Sequence, residues 1–219
     1  MTLRQYKTLI RELPYSDQAF ETKKEIWQQY TKVDSNFSSH CKKLFTSNTV
    51  KLSRLDVFNS CQKNFAEGLF TTVMWGYPRN MRGNNFAKIL SATKAHRIEC
   101  CFPRNKNLSQ EEFLSIAENL KSTGIGLSTF SKLLYFFKYE IESLPCLILD
   151  SKIIEILNDK NVFTELSLLT KSKKINENNK LKIYVSYLRL MKEVSDVNNF
   201  KSDQLELFLF LMGRNLKSS

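Results

Sequence analysis

The chain has 219 residues, 42% of them hydrophobic, with six Gly and four Pro, which allows one sizeable core and argues against a β-sandwich or a long disordered tail. Lys and Arg number 33 against 22 Asp and Glu, a net +11. That excess concerns partners, not fold: a polyanion such as nucleic acid releases counterions when cations bind it, although a low-GC genome that codes Lys freely gives the same balance.

Residues 2–12 read as a short amphipathic helix ending near Pro14. A helix is expected over residues 16–32, with Phe20, Trp27 and Tyr30 on its apolar face and Trp27 in the core. Asp34-Ser35-Asn36 divides it from a shorter helix through Leu44 and Phe45. His40 and Cys41 are adjacent there. Neighbours on a helix diverge by about 100°, so they make a poor bidentate metal site and read as structural or surface. Residues 53–75 predict a longer helix. Ser53 with Asp56 resembles a capping box, and Leu55, Phe58, Phe65, Leu69 and Val73 form an apolar stripe.

The stretch Met74-Trp75-Gly76-Tyr77-Pro78-Arg79-Asn80-Met81-Arg82-Gly83 is unlike its surroundings. Aromatics in a loop must pack on something. Either Trp75 ends a core helix and Tyr77-Pro78 turns among solvated arginines, or the aromatics wall a pocket. Residues 86–100 continue as a helix with Ile89, Leu90 and Ile98; His96 lies in it with no acid–base partner and reads as surface or half-buried. Residues 103–107 form a basic loop. Ser109 with Glu112 is a clean capping box, and Phe113, Ile116, Ala117 and Leu120 face the core of the helix that follows.

Thr123-Gly124-Ile125-Gly126 breaks that helix after Lys121, and another starts at once through residues 127–139. Glycines reach φ > 0 without a Cβ clash, so a pair flanking one apolar residue permits a tight hairpin, with Ile125 turned inward. The helix start beyond them carries bare N–H groups and partial positive charge, suited to a phosphate. Pro145 and the apolar run Cys146-Leu147-Ile148-Leu149 then deliver Asp150 to the start of a helix over residues 151–157. A short helix at 162–169, a basic loop from Lys171 and two final helices at 179–194 and 202–212 complete the chain. No segment alternates convincingly, so the expected class is all-α.

The stretch from Gly124-Ile125-Gly126 to Asp150 resembles the helix-hairpin-helix DNA glycosylases. The wording Ser131-Lys132-Leu133-Leu134-Tyr135-Phe136, Leu147-Ile148-Leu149-Asp150 and Met74-Trp75-Gly76-Tyr77-Pro78 is most similar to bacterial 8-oxoguanine glycosylase-like proteins. The resemblance spans roughly residues 55–160. It implies one two-lobed helical domain over 1–219, with a hairpin core at 109–158 and the terminal helices forming the second lobe.

The same resemblance assigns Asp150 as the catalytic acid, against the simpler role of an N-cap, which is compatible with it. It assigns Lys121, Gly124, Gly126 and Ser128 to the DNA backbone, and Trp75, Tyr77, Arg79 and Arg82 to a pocket for an extruded base. Lyase-competent relatives carry a Lys two residues beyond the second hairpin glycine, where Ser128 stands here. That favours a monofunctional hydrolase. Lys132, one turn on, is a candidate electrostatic group or displaced nucleophile, or more simply a phosphate contact or a surface Lys. The base is oxidised guanine in repair or hypermodified phage cytosine in antiviral defence. The alternative is a DNA-gripping module without chemistry.

Five cysteines show neither C-x-x-C nor zinc-finger spacing, and none follows Asp150, where some relatives bind an iron–sulfur cluster. Buried reduced thiols are expected, with no metal and no cofactor. No signal peptide opens the chain and no run of ~20 apolar residues could span a bilayer. A cytoplasmic monomer partnered by double-stranded DNA containing a modified base, and by no membrane, is the expectation.

Overall fold

A computed structural model of the protein describes residues 2–94, 96–159, 163–170, 174–213 and 215–216. The described residues are mostly helical, and one continuous apolar core runs through them from Leu3 to Leu209. Helix α1 (Lys7–Glu12) packs on the last helix, so the two ends of the chain meet.

The helix expected over residues 16–32 is replaced by strand β1 (Ala19–Lys23) and the short α2 (Lys24–Gln28). β1 pairs antiparallel with β2 (Thr49–Ser53), Phe20 opposite Leu52 and Thr22 opposite Val50. Thr22 is the one fully buried residue of β1, which therefore displays no apolar alternation, whereas β2 alternates only briefly, through Val50 and Leu52. Pairing between distant segments decides the conformation here. Thr22 also anchors it: its hydroxyl donates to Pro78 O at 2.7 Å and accepts from Trp27 Nε1 at 2.7 Å.

Helix α3 (Ser35–Leu44) is capped by Asp34, which accepts from Phe37 N. It buries His40 against Thr71, Nε2 to Oγ1 at 3.2 Å, and burial pushes this imidazole down to about 4. The single helix expected over 53–75 is two, α4 (Arg54–Lys63) and α5 (Phe65–Gly76). Asn64 separates them with extended backbone, and its side chain caps α5 by accepting from Glu67 N at 2.9 Å. The Ser53–Asp56 capping box forms as read.

Helix α6 (Asn85–Lys94) ends earlier than expected; His96 lies beyond it, exposed, with φ +53. β3 (Asn107–Leu108) pairs parallel with β4 (Glu140–Ile141), which pairs antiparallel with β5 (Leu144–Pro145). α7 (Gln110–Leu120), opened by the Ser109–Glu112 box, and α8 (Leu127–Phe136) flank the glycine turn. α9 (Ser151–Asn158), α10 (Lys180–Asn198) and α11 (Ser202–Met212) follow. The helix expected over 162–169 begins outside the described residues, and Ser167–Thr170 at its end is a 3-10 turn. Lys171, Ser172 and Lys173 also lie outside them. The expected all-α class is thus mostly helical with two small sheets among the described residues. Cys41 and Cys146 are buried as expected, whereas Cys100 is exposed. No helix among the described residues is long and apolar enough to cross a membrane.

Candidate functional site

α7 runs into a 3-10 turn, Lys121–Thr123, and the chain reverses at Gly124 with φ +83. Only glycine takes this conformation without strain, and a Cβ here would stand 2.7 Å from Asn85 O at the start of α6. Gly126 differs from the expectation for the pair. Its φ is −88, open to any residue, and a Cβ on it would meet nothing within 4 Å. It is the N-cap of α8 and offers no side-chain cap to the first-turn N–H groups. Ile125 between them is buried, as read.

Asp150 is held by what precedes it. Residues 146–149 lie in neither helix nor strand and are buried. Two α10 tyrosines grip their carbonyls, Tyr184 Oη to Leu147 O at 2.6 Å and Tyr187 Oη to Ile148 O at 2.9 Å. Leu149 N donates to Ser131 Oγ of α8 at 3.1 Å. The chain therefore reaches Asp150 with no slack. Asp150 Oδ1 accepts from Lys152 N at 3.0 Å and Ile153 N at 3.1 Å, capping α9. Both cap bonds fall on one oxygen, so Oδ2 takes part in neither.

Asp150 lies on the wall of a cavity of about 470 Å³, a size suited to a small-molecule or nucleoside-sized guest. Trp75, Tyr77, Arg79, Ser128 and Lys132 line it too. Four of the five come from the ends of α5 and α8 or the loop between α5 and α6, so the packing of α5 on α8 builds the wall. Lys132 is buried, 4% exposed, and its ammonium turns back one helical turn to donate to Ser128 Oγ at 2.9 Å and Ser128 O at 3.2 Å. Its Nζ stands 5.4 Å from the Tyr77 ring centroid. Gly76 makes room for the stem: a Cβ there would lie 2.9 Å from Lys132 Cδ. Tyr77 Oη shares a hydrogen bond with Thr129 Oγ1 at 2.8 Å.

Trp75 ends a core helix, as the first reading of it has it, and also lines the cavity. Its ring is 3% exposed and packs edge-on against Phe20 and Phe136, at 5.2 and 5.1 Å. Arg54 Cζ stands 5.5 Å from its centroid. Little of its surface is open for stacking. Phe210, partly buried on α11 with Lys152 Nζ 4.1 Å from its centroid, is the aromatic the sequence reading passed over, along with Phe20.

Deeper in the wall is a buried ion pair. Arg54 and Glu206 are each 1% exposed, with Nη1 and Oε2 2.8 Å apart. The contact lies off the N–H direction, and neither Glu206 oxygen accepts a well-aligned hydrogen bond. Arg54 Nε donates to Gln18 Oε1 at 2.7 Å, and Nη1 to Tyr135 Oη at 3.1 Å. Gln18 Nε2 is buried without a partner. Burial pushes the Glu206 carboxyl up, and the Arg54 guanidinium opposes that rise.

Of the expected residues, the structure thus brings together Asp150, Lys132, Ser128, Trp75, Tyr77 and Arg79. Ser128 faces the cavity wall, not only the outer surface. Arg82 is exposed and does not line the cavity; it lies two residues beyond Asn80, whose φ is +85. Lys121, Gly124 and Gly126 also lie outside it; Lys121 is exposed and ion-paired with Glu118. Arg54, Glu206 and Gln18 were not anticipated. The available signal was one acid within the apolar run Leu205-Glu206-Leu207-Phe208-Leu209.

The geometry defines a mostly helical protein with a nucleoside-sized cavity whose polar wall residues are fixed by buried hydrogen bonds. The model of the family described as "Putative 8-oxoguanine DNA glycosylase OGG-like protein" matches residues 14–210, and the chain belongs to this family. No curated protein and no solved structure matches the chain significantly.

Proposed function

We propose that the protein is a DNA glycosylase that extrudes one modified base from double-stranded DNA into the Asp150 cavity and cleaves its N-glycosidic bond. One observation carries this: Asp150 and Lys132, fixed from separate elements, line a single cavity that begins two residues beyond the Gly126 cap. Breaking the bond builds positive charge on the sugar. The Asp150 carboxylate stabilises it and orients the attacking water. The α7–turn–α8 unit acts as a helix-hairpin-helix clamp, with the uncapped α8 start and Lys121 toward a phosphate. The substrate is oxidised guanine or a hypermodified cytosine, in repair or antiviral defence, and the protein works as a cytoplasmic monomer.

The decisive experiment is mass spectrometry of bases released from oxidised duplexes and modified phage DNA. Wild-type protein releases a base and Asp150→Asn does not, while both retain salt-sensitive DNA binding. Release from no DNA at all, with binding intact, would leave a non-catalytic DNA-gripping module.

A second reading has one specific support. Lys132 places its amine at Ser128, the position where lyase-competent relatives carry their lysine. In that reading the neutral amine attacks the sugar carbon as the base departs with a proton, and ring opening gives an imine. Borohydride separates the two. Trapped protein–DNA adduct that Lys132→Gln removes supports the lysine route, and its lack in wild type supports hydrolysis.

A further inference from the structure

A groove of about 280 Å³ lies between α6 and the glycine turn, outside the Asp150 cavity. Asn84, Ala87, Lys88, Ser91 and Ala92 line it at intervals of three and four residues, as one face of a helix does, and Arg97 and Ser122 complete it. Its α6 wall carries only small or polar side chains, so a polar chain can approach the helix closely. Arg97 Nη2 donates to Ser122 Oγ at 3.1 Å, which ties the segment after α6 to the 3-10 turn and uses one of the five guanidinium N–H groups. Gly124 seats the turn against the same helix: a Cβ on it would stand 2.7 Å from Asn85 O and 3.3 Å from Lys88 Cβ. Groove and turn therefore hold a fixed relation.

The charge of this groove is one-sided. Lys88 and Arg97 are exposed to solvent, and among the described residues no acid lines the groove with them. The acids nearest Arg97 and Ser122 in sequence, Glu99 and Glu118, face His96 and Lys121 instead. A separate cavity lined by Lys138, Lys192 and Lys201 is balanced, with Glu140, Asp196 and Asp203 among them. Unopposed cations in a small polar groove suit a phosphate, Arg97 offering a planar fork and Lys88 a point charge. We propose that this groove seats a phosphate of the DNA backbone on the α6 side of the turn, separate from the one at the start of α8. This rests on the DNA-binding part of the glycosylase reading and extends its footprint onto Lys88 and Arg97, which position the duplex and read no base.

The test is the salt dependence of binding to an unmodified fluorescent duplex, which needs no base release. Titrations at several salt concentrations give the slope of log K against log salt for wild type, Lys88→Gln, Arg97→Gln and, as a control from the balanced cavity, Lys192→Gln. Each phosphate contact contributes about 0.9 to that slope. We expect Lys88→Gln and Arg97→Gln each to lower it by about 1 and to weaken modified and unmodified duplexes by the same factor, while Lys192→Gln leaves it unchanged. Lys88→Gln breaks no side-chain hydrogen bond among the described residues, so its slope reports the phosphate and not a disturbed turn. Wild-type slopes in both groove variants, or an equal loss in Lys192→Gln, overturn the inference and leave the glycosylase reading standing. Lowered slopes in a protein that releases no base from any DNA keep the groove and overturn the catalysis. A wild-type protein without DNA affinity overturns both.

Discussion

Two cavities of nearly equal size lie on either side of Tyr135, and their walls are made differently. The Asp150 cavity holds about 470 Å³; the other, lined by Tyr135, Lys138, Lys192, Ser195, Lys201 and Asp203, holds about 460 Å³. Tyr135 joins them. Its hydroxyl accepts from Arg54 Nη1 at 3.1 Å on one side and donates to Asp203 Oδ1 at 2.7 Å on the other. In the second cavity the lysines are exposed, and Lys192 pairs at the surface with Asp196. In the first, Lys132, Arg54 and Glu206 are all buried. Solvated surface charges cost little and contribute little. Buried ones carry a desolvation penalty, so their retention marks the side where specific chemistry or recognition offsets it. Volume separates the two cavities not at all; burial of charge does.

The largest expected effect tests that contrast directly. Asp150→Asn should lower base release by about a hundredfold to a thousandfold, the usual loss when one transition-state contact is removed. Asp203→Asn keeps an acceptor for Tyr135 in the second cavity and should leave the rate unchanged. Single-turnover assays of the two variants side by side decide it; equal losses would place the chemistry elsewhere. Next comes stability. Arg54→Leu strands the Glu206 carboxylate in the core and should cost about 3–5 kcal/mol. Lys201→Ala on the rim of the second cavity should stay within about 0.5 kcal/mol. Urea denaturation of the pair measures both.

What the sequence disclosed follows the same divide between near and far. The Ser109–Glu112 and Ser53–Asp56 boxes and the Asp150 cap were legible because each is a contact between residues two or three apart. Asn64 with Glu67 carries an equally local signal, which the apolar stripe through residues 55–73 masked. β1 was not legible, since its partner lies beyond two intervening helices and only Thr22 of its residues is fully buried. The cavity was half legible. Trp75, Tyr77, Lys132 and Asp150 follow from motif and spacing, whereas Arg54 meets Glu206 only after the whole chain has folded.

A smaller contrast lies within the glycine turn. Gly124→Ala forces a Cβ into φ +83 and to 2.7 Å from a backbone carbonyl, and should destabilise the protein by about 1–3 kcal/mol. Gly126→Ala meets ordinary backbone and open space, so it should cost under about 1 kcal/mol. If the α8 start faces a phosphate, the second variant loses DNA affinity despite its intact fold. Thermal melts paired with gel shifts read both. A stable Gly126→Ala protein with unchanged affinity would remove the phosphate from this turn.

The last effect concerns a buried imidazole whose counter-charge, Glu67, only partly offsets its burial, and it sharpens the distinction drawn between the cavities. Thr71 Oγ1 donates to Glu67 O at 2.8 Å, so it must accept from His40, which fixes the neutral imidazole with its proton on Nε2. Burial holds this group down to about 4, against an ordinary value of 6.5. Between those values the unfolded chain binds the extra proton and the native one does not. Stability is therefore full above pH 6.5 and falls as pH drops toward 4, by at most about 1.4 kcal/mol per pH unit from this residue. His40→Leu keeps the Thr71–Glu67 bond and should flatten that part of the profile in urea titrations at several pH values. An unchanged slope would mean that the imidazole reaches solvent on protonation, and that burial in this part of the core is looser than at the Arg54–Glu206 pair.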